Sequence, residues 1–488
     1  MKKLIVLLCT VALMLGLFTG CNQAENGQSD TLRIMGIIKT ENLDPLVGVS
    51  HDPNLMSSIF GAMIRRGENG VLEPGIIQDW SLSQDGLTTT FTLREGVKFS
   101  DGSDLTSDDV IFSLDKMNEN PMMAYAVGKY TWEKVDDYTF TMTGQTVLDD
   151  PASILSTTFI VPSEAYSPDT FAKSPIGAGP YQIENIEADG TVNLTVNENY
   201  YGEAPHYTKL VIKAPLNASA AVIALQNGEV DIVTNVTSDQ LPIVKEDDRF
   251  EVVEGPGYTS TGIWFYGPLQ DDKNLRFAIA YGIDREKLVK IACNGEATVT
   301  NDLIASRTLG DLSGAVPMPG YDVEKAKEYL AASNYQEGDV LTLTVVNNTA
   351  DAQCIMDDLK AIGIEIEINQ MDQNSFYQSI TDGNMGMCIL ANGAENATTA
   401  GLLQNFSSTR DEDFTFSAEC DELIARCSTE LDPSKREDLY KEILEIQADF
   451  CNIAPLYETN GNICYAKGIE GITEFSAAAT YLYPETLK

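Results

Sequence analysis

The side chains able to do chemistry are unevenly supplied. The chain holds 73 Asp plus Glu against 32 Lys plus Arg, with two histidines and nine cysteines. His51 and His206 stand 155 positions apart, so no H-E-x-x-H pair exists and a multi-histidine metal site has no support. No G-x-S-x-G elbow and no G-x-x-x-x-G-K-[ST] phosphate loop occurs. Glycoside hydrolysis needs two spaced carboxylates. Among so many acids no pair is singled out, and a secreted hydrolase is a weak alternative. Setting aside Cys9 and Cys21 leaves Cys293, Cys354, Cys388, Cys420, Cys427, Cys451 and Cys464, an odd number without C-x-x-C spacing. That argues against a disulfide scaffold or a zinc ribbon. Cys354, Cys388 and Cys451 have apolar neighbours and read as small buried hydrophobes, while one bridge among Cys420, Cys427, Cys451 and Cys464 stays open.

At 488 residues, 43% of them hydrophobic, the chain can bury a large core and is expected to split into two or three domains. A net charge of −41 argues against nucleic acid and against anionic lipid heads. It fits a self-repelling, solvated surface or a preference for cationic ligands. Lys2 and Lys3 precede an apolar run from Leu4 to Phe18, the pattern of a secretory signal peptide and short for a membrane span. The run ends in Phe18-Thr19-Gly20-Cys21, which resembles a bacterial lipobox. Residues 1–20 are therefore expected to be removed, Cys21 to carry lipid, and residues 21–30 to form a flexible tether.

The elements follow from periodicity. Thr31 to Ile38 reads as an opening strand, and Thr88 to Leu93 alternates between the turn signals Asp85-Gly86 and Asp101-Gly102, so hairpins are expected. Ser107 is expected to cap a helix through Leu114, with Asp108 and Asp109 at its positive end rather than in a calcium loop. Gly177-Ala178-Gly179-Pro180-Tyr181 lacks the third glycine of a dinucleotide fingerprint and reads as a tight turn. A helix is expected over 217–226, and two more over 274–283 and 285–292, with Asp284 as the cap between them. Strand 341–346, helix 352–362, strand 364–368, helix 375–381 and strand 385–390 give a βαβαβ order, hence an α/β layer, and Asp432-Pro433 opens a long amphipathic helix.

Several blocks together resemble the extracellular solute-binding proteins of family 5, the peptide- and nickel-type components of ABC importers. Asp85-Gly86-Leu87, Phe91-Thr92-Leu93-Arg94-Glu95-Gly96-Val97-Lys98-Phe99, Asp101-Gly102 and Asp109-Val110-Ile111-Phe112-Ser113 carry the most specific match. Gly177 to Tyr181, Asn199-Tyr200-Tyr201-Gly202, Ala224 to Ile232, Ala278 to Arg285, and Tyr321-Asp322 with Glu324-Lys325-Ala326 support it. The resemblance implies an α/β, bilobal periplasmic-binding-protein type II fold with an extra domain inserted near the N-terminus. The first lobe would take residues 31–57, 175–258 and 467–488, the insert 58–174, and the second lobe 259–466. Trp80, Phe91, Phe99 and Phe112 would form the core of the insert, and Arg94 would pair with an acid.

The implied function is capture of a peptide-like or other small solute by lobe closure. A monomeric, lipid-anchored protein on the outer face of the cell membrane would deliver that solute to ABC permease and ATPase subunits. No catalysis, cofactor, metal or nucleic acid is implied; the alternative is a solute or signal-peptide receptor uncoupled from transport. Loops bordering the cleft would supply Ser50, His51, Tyr125, Thr259, Trp264, Asn392, Glu395 and Thr459 as ligand contacts. Peptide-binding relatives carry a W-x-A-D-Y-like segment whose Asp holds the ligand's amino terminus. Here Cys388 to Asn396 lacks both Trp and Asp, and Glu395 is the acid at hand.

Overall fold

The computed structural model describes residues 30–36, 43–47, 53–67, 70–393, 398–403, 406, 418–479 and 482–488. The expected signal peptide, Cys21, Ser50, His51 and Glu395 lie outside the described residues, and so does nearly all of the expected tether. Among the described residues, seventeen strands follow in chain order. They are β1 (Thr31–Met35), β2 (Ile64–Arg66), β3 (Leu72–Pro74), β4 (Ile77–Leu82), β5 (Thr88–Leu93), β6 (Thr131–Asp136), β7 (Thr139–Thr143), β8 (Tyr181–Ile186), β9 (Val192–Val196), β10 (Lys209–Lys213), β11 (Ile232–Thr234), β12 (Phe250–Phe265), β13 (Ala297–Val299), β14 (Val340–Val345), β15 (Glu365–Gln370), β16 (Met387–Asn392) and β17 (Ile453–Ala466).

Two long strands join everything else. The main sheet runs β15-β14-β16-β12-β17-β11-β1-β10-β9-β8, with β13 added on β17. β14 pairs in parallel with β15 and with β16, as a βαβαβ unit requires. The alternation of Ile364 to Ile368 and the left-handed Gly363 (φ 97°) that ends helix Thr349–Ile362 are the local causes. At the other end β1 lies parallel to β10 and β11. The antiparallel ribbon of β12 and β17 belongs to both ends.

The apolar side chains sort into a large core over residues 263–457, a second over 32–212 with late returns at Ile463, Tyr465, Ala477, Leu482 and Leu487, and a small cluster around Val233. This is the α/β bilobal arrangement, with a four-stranded sheet β4-β5-β7-β6 in the inserted region. Phe91 stacks on Phe140 at 5.1 Å. Gly177 and Gly179 are needed for contact with helix Pro53–Phe60: a Cβ there would lie 2.1 Å from the Ile59 oxygen and 2.4 Å from the Ser58 oxygen.

Several local expectations are corrected. The helix Ser107–Glu119 is capped by Thr106, not Ser107, because the Asp109 carboxylate turns back to accept the Thr106 N–H at 2.9 Å while binding Ser163 with its other oxygen. Phe91 and Phe99 are fully buried, whereas Trp80 and Phe112 only flank the core. Arg94 donates to the Gly75 carbonyl at 2.7 Å and lies over Tyr201, rather than pairing with an acid. The seven described cysteines are free thiols, so the bridge left open among the late cysteines does not form. Cys354, Cys388 and Cys451 are buried as expected. Asp284 and Asp432 cap their helices, each accepting a backbone N–H of the first turn.

Candidate ligand site at the strand crossover

The β12–β17 ribbon changes character halfway along. Val252 to Glu254 pair regularly with Cys464 to Asn462, and Gly262 to Trp264 with Pro455 to Ile453, but the register slips between Pro256 and Ser260. A slip of this kind twists the ribbon and leaves side chains unpaired. β16 reaches the slip through Gly393 (φ 135°), where a Cβ would sit 1.9 Å from the Tyr258 carbonyl oxygen, so no larger residue fits.

Register now assembles a row that spacing along the chain could not. Asn392 faces Ser260, Ser260 faces Glu458, and Glu458 faces Thr298 on four adjacent strands. Strands lie about 4.8 Å apart, so the row spans roughly 14 Å. The segment after β13 folds over it. Ser306 donates its N–H and hydroxyl to Glu458 at 2.8 and 2.7 Å, and the Asp302 carboxylate accepts from Ser313 Oγ at 2.7 Å and Gly314 N at 3.0 Å. Glu458 is 2% exposed and Asp302 8%. Between them lies a cavity of about 560 Å³, walled by Glu254 to Pro256 from one half of the ribbon and by Thr298 to Asp302, Ser306, Glu458 and Asn460. That volume suits a small organic ligand.

Ion pairs brace the crossover. Lys245, on the first-lobe helix Leu241–Lys245, reaches Glu254 at 2.9 Å and Glu296, before β13, at 2.8 Å. Arg307 donates to the Pro256 carbonyl at 3.0 Å, lies over the Tyr258 ring and approaches Glu474 of the late return at 3.5 Å. A second bridge joins the inserted region to the second lobe: Val147 N–H donates to the Ser428 carbonyl at 3.2 Å, and Leu148 packs against the second-lobe core.

Of the residues singled out in the sequence, Thr259, Asn392 and Thr459 come together at the crossover. Thr259 precedes Ser260 in the slipped segment, Asn392 stands in the row, and Thr459 is exposed opposite Ala297. Trp264 does not join them. It lies beyond the slip in regular pairing with Cys388 and Ile453, 8% exposed within the second-lobe core. Tyr125 belongs to helix Pro121–Val127 in the inserted region; its side chain, like Ser50, His51 and Glu395, lies outside what is described. Glu458, Asp302, Asn301 and Arg307 escaped sequence reading. The one signal was an acid directly after the apolar run Ile453 to Tyr457.

A family model described as bacterial extracellular solute-binding proteins, family 5 Middle, matches residues 71–414. The chain belongs to this family. It is 26% identical to the dipeptide-binding protein of Escherichia coli over 428 residues, covering 77% of this chain and 79% of that protein. It is 24% identical to heme-binding protein A of Haemophilus influenzae over 436 residues, covering 78% and 79%. The crystal structure of the ABC transporter substrate-binding protein CtaP from Listeria monocytogenes superposes with a TM-score of 0.83 at 21% identity, covering 94% of this chain and 99% of that one. The fold is therefore the type II periplasmic-binding-protein fold, and the chain is a solute-binding protein of the peptide and nickel ABC-transporter type.

Proposed function

We propose that this protein is the lipid-anchored capture component of an ABC importer, closing two lobes over a peptide-like or other small solute and passing it to a membrane permease. The observation that carries the reading is the crossover itself. Two separately cored lobes are joined by one slipped ribbon, and beside the slip sits a cavity walled from both of its halves. A ligand favours the shut form only through contacts it makes there and not in the open form, and groups beside a hinge make such contacts. The named relatives bind a dipeptide and haem, so family membership leaves the solute class wide.

In this reading the first lobe comprises residues 31–57, 175–258 and 467–488, the insert 58–174 and the second lobe 259–466. Thr259, Asn392 and Thr459 contact the solute at the crossover, with Ser50, His51, Tyr125 and Glu395 entering from the cleft rims. Trp264 shapes the site from within the core. Cys21 carries the lipid. Native mass spectrometry of the gently purified protein should show a bound small solute that refolding removes. An unshifted mass, with no thermal shift across a panel of peptides and metabolites, would overturn the reading. Cys21→Ala should release the protein from membranes; retention of that variant would remove the anchor.

A further inference from the structure

We infer that the tip of the inserted region is a latch on the second lobe, made when the lobes shut and broken when they part; this rests on the two-lobe, solute-capturing reading above. The insert travels with the first lobe. Their apolar side chains form one core, in which Phe91 and Phe140 of the insert belong to the same cluster as Leu32 and Leu210. Polar contacts fix the join: Tyr166 Oη donates to Asp44 at 2.7 Å, the Arg66 N–H donates to the Tyr483 hydroxyl at 2.8 Å, and the Ser100 N–H donates to the Gly177 carbonyl at 2.9 Å.

The contact with the second lobe is of another kind. Gly86 (φ 73°) lets Leu431 in: a Cβ at Gly86 would lie 2.7 Å from Leu431 Cδ2 and 3.2 Å from Val147 Cγ1. Beside this point the Val147 N–H donates to the Ser428 carbonyl at 3.2 Å, and Leu148 packs against the second-lobe core. The charged groups at hand are paired on their own sides. Lys129 meets Asp149 at 2.8 Å within the insert, and Arg436 donates to the Glu430 carbonyl at 2.7 Å within the second lobe. A cavity of about 390 Å³ lies inside the contact, walled by Trp80, Leu82 and Leu148 on one side and by Ala400, Arg436 and Tyr440 on the other. Leu82 and Leu431 stay 62% and 50% exposed even here. A permanent interface is packed like a core and leaves few voids larger than a water molecule, whereas a small contact with a void in it is one that can open. The β12–β17 ribbon is continuous chain and can only bend. The tip of the insert can let go. Its contacts belong to the shut form alone, so they weight the equilibrium toward that form with or without solute.

The test is hydrogen–deuterium exchange read by mass spectrometry, with small-angle X-ray scattering alongside, on the refolded, solute-free protein and on its Leu431→Asp and Leu148→Asp variants. Leu431 is half exposed, so its variant keeps the test valid if Leu148→Asp misfolds. The peptide carrying the Val147 amide should exchange at least threefold faster in Leu431→Asp, the radius of gyration should rise, and peptides over β5 and β7 should keep their wild-type rates. Unchanged exchange at Val147, or an unchanged radius, overturns the latch. Faster exchange that extends to β5 and β7 also overturns it, because the insert has then unfolded locally rather than let go. A protein that contracts equally in wild type and Leu431→Asp when its co-purified small-molecule fraction is returned retains solute capture and loses the latch. Variants that open as expected, in a protein that no solute contracts, fail the capture reading alone.

Discussion

Two buried carboxylates, one in each part of the architecture, show what this chain does with uncompensated charge. Glu485, on the late return to the first lobe, receives Arg65 at 2.8 Å, and the guanidinium also lies 3.9 Å over the Tyr483 ring. Burial pushes the Glu485 carboxyl up and Arg65 pulls it back, with burial prevailing. Glu458, in the slipped ribbon, is 2% exposed and is held by a serine. A buried charge with a partner is architecture. Glu458, held by the Ser306 N–H and hydroxyl, lies instead on the wall of the cavity at the slip.

Breaking the first pair has the largest expected effect. Arg65→Met leaves Glu485 buried and alone and should cost about 3–5 kcal/mol of stability. Thermal and urea unfolding would show this, with solute affinity per folded molecule unchanged. If Arg65→Met is as stable as wild type, Glu485 is not held as a charge and the contrast with Glu458 collapses.

Asp351 sharpens the contrast from a third position. Its buried carboxyl accepts from the Tyr457 hydroxyl, its Oδ1 has no partner, and burial raises its pKa. A carboxyl with a raised folded pKa favours the native state most when protonated. Its contribution is full below the unfolded Asp pKa of about 4 and is lost as pH rises through the folded value. Asp351→Asn should therefore stabilise the protein at pH 7 by about 1–2 kcal/mol and flatten this part of the pH profile. Melting curves from pH 4 to 8 check it, and a destabilised variant at neutral pH would show that the charged form is useful to the fold.

The smallest effect is expected at the rim. Lys245 is about one-third exposed, so Lys245→Met should change stability by no more than about 1 kcal/mol. Because its partners Glu254 and Glu296 fall in the first and the second lobe as divided above, the variant should still change how often the lobes open. Fluorescence transfer between labels on the two lobes would read that change; an unaltered distance distribution would make the pair ornamental.

Local physics was the legible part of this sequence. The βαβαβ unit shows itself because Ile364 to Ile368 alternate with period two between segments of helical period, and because Gly363 supplies the left-handed stop. Asp284 and Asp432 were readable as caps for the same reason. Thr106 was missed because Asp109 bends back on it, a contact that spacing does not distinguish from a cap at Ser107. Thr259, Asn392 and Thr459 could be placed near a lobe boundary. Their neighbours Ser260 and Glu458 could not, because the row exists only through pairing between strands nearly two hundred residues apart. Trp264 was placed with Thr259 at the crossover between lobes, yet in the regular half of the ribbon the same strand directs it into the core.

The central claim is that two cored halves hinge at the β12–β17 slip and shut on a solute. Small-angle X-ray scattering tests it most directly, on protein stripped by unfolding and refolding, before and after return of the small-molecule fraction released in that step. The account predicts a smaller radius of gyration once that fraction is returned. Superimposable curves, from a fraction shown by mass to contain the released solute, would contradict it.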